Sequence, residues 1–488
     1  MKTDRGSDTV PLFDGYRHGG FFCELTNDQG AKDNDAATVI RDRLAGMTSG
    51  ALTERARSAE AELYNLGITF TVYTERTSID RILPFDLIPR VISKPEWVCL
   101  ELGLRQRVTA LNRFLSDIYQ DQEIIRDGVI PADLVLKNPN FCRAMIGFRP
   151  ASGTYIHICG TDIVRDDSGR FLVLEDNART PSGVSYVIEN RRMMRRCMPD
   201  LIADLDVAPV EEYGGNLRRI LAEVAPEGIS APQIVLLSPG TYNSAYFEHV
   251  FLAREMGVPL VEGRDLRVLN DRVYMRTTAG LQPVHTIYRR IDDAFLDPEA
   301  FRPESMLGVP GLMRAYQAGH VTLANAVGTG VADDKAIYAY VPRMIRYYLG
   351  EEPVLENVET HICAEPEALA FTLDNIENLV VKPVGESGGY GMIIGPHATA
   401  AERDAFRDKL RDDPANYISQ PVLRLSTSPT LCGSRVEARH VDLRPFTLTG
   451  KSSWVLPGAL SRVAIREGSL VVNSSQGGGS KDTWVMAS

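Results

Sequence analysis

The sequence predicts an α/β protein, α+β in its mixing of hairpins, helices and a parallel unit, arranged as several domains around a cleft. Three stretches carry this expectation. Residues 162–177 read as a β-hairpin, because the apolar-rich runs Asp162–Arg165 and Arg170–Glu175 flank the turn tetrapeptide Asp166-Asp167-Ser168-Gly169. Residues 233–261 read as a strand, turn, helix, strand unit, and residues 379–395 as two strands joined by a glycine-rich loop.

The hairpin is the most informative of the three. If Arg165 pairs with Arg170 across the turn, Asp162 lies opposite Val173, and side chains repeat with period two along each strand. Glu175 and Asn177 then share the Asp162 face. Three oxygen ligands on one rigid face suit a hard cation such as Mg²⁺. Asp166 and Asp167 read as ordinary turn residues. Glu175 and Asn177 end the apolar run Phe171-Leu172-Val173-Leu174, where a carboxylate requires a partner.

With 488 residues, 44% apolar and 24% charged, the chain has the composition of a soluble globular protein of two or three domains. No window approaches a membrane span, and the net charge of −11 argues against a nucleic-acid surface. The N-terminus lacks the apolar core of a secretory signal, which places the protein in the cytoplasm. Seven cysteines without a CxxC pair read as reduced, mostly buried thiols.

Residues 36–66 show helical spacing. Leu104, Val108, Leu111, Leu115, Ile118 and Tyr119 step by three and four, predicting an amphipathic helix with its Arg and Gln residues outward. After the hairpin, Thr180-Pro181-Ser182-Gly183 is a loop before a basic helix, and Arg179 points either at the metal site or into solvent. Residues 201–232 read as a linker. Ile234–Leu237 is a strand and Ser244–Glu255 a helix capped by Asn243 or Ser244. Ligands in such units sit at the carboxyl ends of strands, so this turn, with Asn243, Ser244 and Tyr246, is a candidate substrate loop. Its polar residues are equally explained as caps. Leu266–Met275 reads as a hairpin around Asn270-Asp271, and Thr286–Tyr288 as a strand leading to Arg289 and Arg290. These arginines form either an internal ion-pair network or a carboxylate-binding site.

In LVVKPVGESGGYGMIIG a strand ends at Lys382-Pro383 and a loop with Ser387, Gly388, Gly389, Tyr390 and Gly391 follows. Backbone N–H groups of such a loop approach phosphate oxygens closely, and the lysine adds a point charge. It is no Walker loop, since Gly450-Lys451-Ser452 has Pro445 where the first glycine belongs. Gly328-Thr329-Gly330 is no dinucleotide fingerprint, since Asp333 stands at the last glycine.

Taken together, Asp334-Lys335 opening a helix-like run, Lys382 before the glycine loop, and Gln420 closing Tyr417-Ile418-Ser419 resemble the ATP-grasp enzymes. With Asp162, Glu175 and Asn177 upstream of them, the order is that of a circular permutation. DNARTPSG after Glu175 and the C-terminal VVNSSQGGGSKDTWV are similar to the glutathionylspermidine-synthase-like members. The chain differs from the polyamine ligases in having Gly160 where they place an arginine. The resemblance covers roughly residues 80–488.

It implies a permuted ATP-grasp with an α/β preATP-like domain and N-terminal helices. The expected divisions are 1–80, polar arm and helices; 81–205, the half with the metal hairpin; 206–325, the preATP-like substrate domain; and 326–488, the half with the phosphate loop. It further implies that Lys335, Lys382, the glycine loop and Gln420 hold ATP, that the hairpin holds Mg²⁺, and that Arg444 and Arg462 serve catalysis. The implied activity joins a carboxylate to an amine through an acyl phosphate. A small-molecule kinase or a nucleotide-binding module without turnover remains open on the same residues. The partners are ATP and a small peptide, amino acid or amine, with a homo-oligomer left open.

Overall fold

The computed structural model describes residues 11–25, 35–73, 78–385, 391–470, 472 and 477–487. Its largest sheet has seven strands in the order Glu356–Asn357, Phe171–Asn177, Ile158–Arg165, Asp442–Thr449, Ser453–Val463, Gly479–Val485 and Phe85–Ile92. Segments from both halves of the sequence alternate in it, so the chain threads this sheet more than once. The strands of 442–485 lie here and not in the sheet of residues 361–421, which splits the expected 326–488 unit between two sheets.

Alternation along the strands covers both faces. Ile92 and Val485 pack with Trp97, Leu100 and Leu104 of the helix Lys94–Tyr119, whereas Val91 and Trp484 pack with Val184, Val187 and Ile188 of the helix Val184–Cys197. The first helix begins where the Glu96 carboxylate accepts the Ser93 N–H at 3.0 Å. Its expected outward polar face is only partly outward. Arg107 is buried and its Nε donates to both oxygens of Asp176, at 2.9 and 2.8 Å, and Gln106 donates to Glu351 at 2.8 Å. Heptad-like spacing marks the apolar stripe and says nothing of a cation that finds a buried carboxylate beside it.

The second sheet is parallel, in the order Thr322–Ala324, Thr286–Arg289, Ile234–Leu237, Leu260–Val261. The connection through the helix Tyr246–Met256 is the expected βαβ unit. Its helix starts after Ala245 rather than at Ser244. Residues 201–232 are no linker, because the helix Tyr213–Glu223 lies within them and buries Tyr213, Leu217, Ile220 and Leu221. The third sheet is antiparallel, ordered His361–Ile362, Tyr417–Pro421, Leu379–Pro383, Ile393–Ile394. Val381 and Ile393 pack with Phe406 and Leu410 of the helix Ala400–Asp412, leaving Val380 and Lys382 on the opposite face.

The N-terminal arm is not peripheral. Glu24 is buried between Arg90, at 2.7 Å, and Arg165, at 3.4 Å, and burial is outweighed by these cations, which hold its carboxyl below the ordinary range. Of the seven free cysteines, Cys23, Cys159 and Cys363 are buried and Cys99 is exposed, so the thiols are less buried than expected.

Candidate active site

In the hairpin, Arg165 pairs with Phe171 rather than Arg170, and Ile163 pairs with Val173. A bulge then shifts the register so that Asp162 lies opposite Glu175 and Gly160 opposite Asn177. Asp162 therefore does not face Val173. The longer turn and the bulge each add one residue to the same strand, so the two errors together restore the parity. Asp162, Glu175 and Asn177 share a face, while Thr161 and Asp176 point to the Arg107 side. Asn177 is fixed by donating from Nδ2 to the Gly160 carbonyl at 3.1 Å.

Two arginines from the neighbouring strands meet Asp162. Arg444 donates through Nε to Oδ1 and through Nη2 to Oδ2 at 2.7 Å, and Arg462 donates through Nη2 to Oδ2 at 2.5 Å. Burial raises the Asp162 carboxyl, but the two guanidiniums outweigh it and hold the group well below the usual carboxylate range. Arg462 also binds Asp442, with Nε at 3.1 and 3.0 Å from its two oxygens. Gly160 sits close under Pro181: a Cβ there would lie 3.2 Å from the Pro181 side chain, tighter than usual, whereas 3.4 Å from Phe446 and 3.5 Å from the Arg444 Cδ are ordinary contacts. The cations beside Asp162 come from the strands Asp442–Thr449 and Ser453–Val463.

Facing this cluster are the lysines. The Asp334 side chain accepts from the Ala336 and Ile337 N–H groups and so starts the helix Lys335–Tyr338, setting Lys335 in its first turn. Lys335 Nζ lies 3.5 Å from Glu175 Oε2, and Arg444 Nη2 lies 3.9 Å from Glu175 Oε1. Lys382 donates to Gln420 Oε1 at 2.8 Å, and Gln420 Nε2 donates to Thr360 at 3.0 Å. Burial pulls Lys382 down to about 8. Glu175 and Asp162 act against that shift, and Lys335 acts with it. A cavity of about 100 Å³ adjoins these groups, walled by Val164 and Leu174 of the hairpin and by Val380, Lys382, Met392, Ile394 and Gln420 of the third sheet. Residues from both halves of the sequence therefore line one cleft. Gly391 has the positive φ that only glycine adopts readily. Ser387, Gly388, Gly389 and Tyr390, like the tract 473–476, lie outside the described residues.

Other expected residues lie elsewhere or are already engaged. Arg289 is buried, and its guanidinium donates to the carbonyls of Asn325 at 2.7 Å, Ile291 at 2.8 Å and Ala326 at 2.8 Å, with Asp293 at 2.6 Å. Arg290, also buried, donates to the Pro181 carbonyl at 2.6 Å, the Tyr288 hydroxyl at 3.0 Å and Glu248 at 3.1 Å. These partners occupy both guanidiniums: Arg289 ties its strand to the turn after Ala324 and to Asp293, and Arg290 ties it to the loop after the hairpin through Pro181 and to Glu248. Arg179 points neither at the hairpin carboxylates nor freely into solvent, since it pairs with Asp333 at 2.7 Å and Asp292 at 3.0 Å. Asn243 Oδ1 accepts the Ala245 N–H at 2.9 Å, and the Tyr246 ring lies edge-on to His249 at 6.3 Å. Ser244, half-buried, stands between them.

Several residues escaped the sequence. Asp442 holds Arg462. Asp333 fixes the Ala178 and Arg179 N–H groups where the chain leaves Asn177. Asn325 accepts the His157 and Ile158 N–H groups at 2.8 Å and donates to the Ala178 carbonyl at 2.7 Å. Only the HVDLRPF motif offered a signal, an Asp two residues before Arg444.

Known proteins agree with this architecture. Residues 89–464 match the model of the family described as circularly permuted ATP-grasp type 2. An uncharacterized protein of Synechocystis is 53% identical over 472 residues, covering 96% of this chain and 98% of that one. A Frankia alni protein that carries a provisional glutamate–cysteine ligase name is 42% identical over 477 residues. That match covers 97% of this chain but only 54% of the relative, so the chain spans about half of it. A glutathione synthetase-like effector from Globodera pallida shares the fold, with a TM-score of 0.57 at 12% identity, over 89% of this chain and 96% of that one. The interleaved strands, the paired lysines and the match over residues 89–464 lead to one conclusion: the chain belongs to the circularly permuted ATP-grasp family, type 2.

Proposed function

We infer that the protein is an ATP-dependent carboxylate–amine ligase acting on a small peptide or amino-acid-like substrate. The observation that supports this best is the cleft itself, in which a largely apolar cavity is lined by Lys382 and Gln420, and Lys382 in turn feels the charges of Glu175 and Lys335. An adenine suits the apolar walls, and the lysines suit the phosphates. In the reaction a substrate carboxylate oxygen attacks the γ-phosphorus and ADP leaves. An amine nitrogen then attacks the acyl carbon, phosphate leaves with the bonding pair, and the amine gives up a proton. Lys335 and Lys382 neutralise the transferring phosphoryl group, while Arg444, oriented by Asp162, lies at the edge where the acyl oxygen gains charge.

Glu175 and Asn177 offer oxygens on one face, and Asp162 belongs to that face. A carboxylate has about four lone-pair directions. Three at Asp162 are taken by guanidinium N–H groups, so one remains. The residues fit a hard cation with Glu175 and Asn177 as the principal ligands, and Mg²⁺ there would neutralise phosphate charge.

The test is ADP release with Mg-ATP across a panel of amino acids, peptides and polyamines. Glu175→Gln and Lys382→Ala are expected to lower the stimulated rate by on the order of 10²–10³, with unchanged circular dichroism. Wild-type rates in both variants would remove the assignment.

A further inference from the structure

A second concavity, of about 630 Å³, adjoins the nucleotide cavity, and Val422, Leu423 and Leu470 line both. It is formed by the N-terminal arm, the hairpin Thr427–Cys432 with Arg435–His440, and the turn after Val463. Four arginines line it, Arg17, Arg424, Arg439 and Arg466, against two glutamates, Glu437 and Glu467. In a chain of net charge −11 such an excess of cations is local. Two of the arginines are engaged: Arg424 reaches Asp167 at 3.0 Å and lies over the Phe21 ring at 5.2 Å, and Arg439 pairs with Glu437. Arg17 and Arg466 are exposed and form no ion pair among the described residues.

One wall has a further property. Val436 to His440, most of the strand Arg435–His440, borders the groove, and among the described residues this strand is paired along its length only with Thr427–Cys432. Its other edge is met at the far end, where the His440 carbonyl accepts the Ala464 N–H at 3.0 Å, and between Val436 and Ala438 it offers an edge to an added strand. The same strand runs on through Val441 to Asp442, which holds Arg462 against Asp162. The groove therefore combines a strand edge, apolar floor residues, two uncommitted cations and an inner end that opens on the nucleotide cavity. Its volume lies within the ~300–1,000 Å³ range of ligand sites and exceeds the need of one amino acid.

We propose that this groove binds an acidic peptide in extended conformation along Arg435–His440, with its carboxylates on Arg17 and Arg466, as the polymeric substrate of the adjoining site. The role as substrate rests on the ligase reading; the binding does not. A nucleic acid would also satisfy the arginines, but it would not use the strand edge.

The experiment uses the full chain and fluorescein-labelled hexaglutamate, hexaglutamine, hexaglutamate methylated on alternate backbone nitrogens, and an RNA hexamer, read by anisotropy at low and high salt. Hexaglutamate is expected to bind at least about tenfold more tightly than hexaglutamine, with loss at high salt. The double variant Arg17→Glu, Arg466→Glu and the backbone methylation should each weaken binding about tenfold, because one removes the cations and the other the ladder donors. Equal binding of the two unmodified peptides, indifference to the double variant or to methylation, or tighter binding of RNA would overturn the proposal. Thermal shift with Mg-ATP, in wild type and double variant, reports separately on the nucleotide site. An intact shift without peptide binding removes only this inference, and peptide binding without a shift removes only the ligase reading.

Discussion

Around Asp162 two guanidiniums meet two buried carboxylates, and most of their hydrogen-bonding directions are used within the protein. Around Lys382, a few residues across the same cleft, two lysines face Glu175 and one carboxamide, and burial draws Lys382 down to about 8. The first region is compensated internally and holds the sheet together. In the second, burial and the neighbouring Lys335 together hold Lys382 below its ordinary value, and Glu175 and Asp162 offset them only in part. The difference teaches that charge in this cleft has two uses. Removing it should have opposite consequences for stability on the two sides.

The largest effect is expected at Asp162. Asp162→Asn removes the charge and one of the two acceptor oxygens, leaving Arg444 one amide oxygen beside the Ser182 carbonyl at 3.3 Å and Glu175 at 3.9 Å. Breaking a buried pair from one side costs about 3–5 kcal/mol. The unfolding midpoint in urea should fall accordingly, with the slope unchanged. A variant as stable as wild type would mean that the arginine cluster is not internally compensated, and the contrast with Lys382 would collapse.

Lys382→Met should act in the other direction. The folded-state value near 8 lies below the ordinary 10.5. The folded protein therefore disfavours the charged lysine, and the destabilising contribution is complete below pH 8. It fades as pH rises from 8 toward 10.5, where the folded state has released a proton that the unfolded chain keeps. Ligand-free Lys382→Met is expected to melt higher than wild type at pH 7, by on the order of a few degrees. The gap should narrow between pH 8 and 10, and stabilisation by Mg-ATP should be lost. A gap independent of pH would show that Lys382 is not the group under strain.

The elements that were legible in the sequence are those fixed by local period. Strand alternation placed Asp162, Glu175 and Asn177 on one face, although the bulge opposite Asp162 and Ile163 and the exact turn length left no local trace. The βαβ unit and the strands ending at Lys382 and Gln420 follow from short apolar runs and their punctuation. What could not be read is which cation meets which anion. Arg444 and Arg462 reach Asp162 across 282 and 300 positions, and Arg107 reaches Asp176 across 69. Such pairings depend on the order of strands in the sheet. Arg289 shows the same limit from the other side: arginines before two aspartates left an internal ion-pair network and a carboxylate site both open, and Arg289 pairs with Asp293 at 2.6 Å while its other partners are carbonyls.

The smallest effect is expected in the loop that ends the strand Ile234–Leu237. Its place at the carboxyl end of a parallel strand marks it for ligand binding. Its geometry supports a turn, because Asn243 Oδ1 accepts the Ala245 N–H at 2.9 Å immediately before the helix Tyr246–Met256. Asn243→Ala removes one partly exposed hydrogen bond, which costs about 0.5–1.5 kcal/mol. Melting should drop slightly while KM for each substrate stays within twofold of wild type. If instead KM rose tenfold with kcat and melting unchanged, the amide would be contacting substrate. The parallel sheet would then contribute directly to the cleft, a third region beside the arginine and lysine clusters.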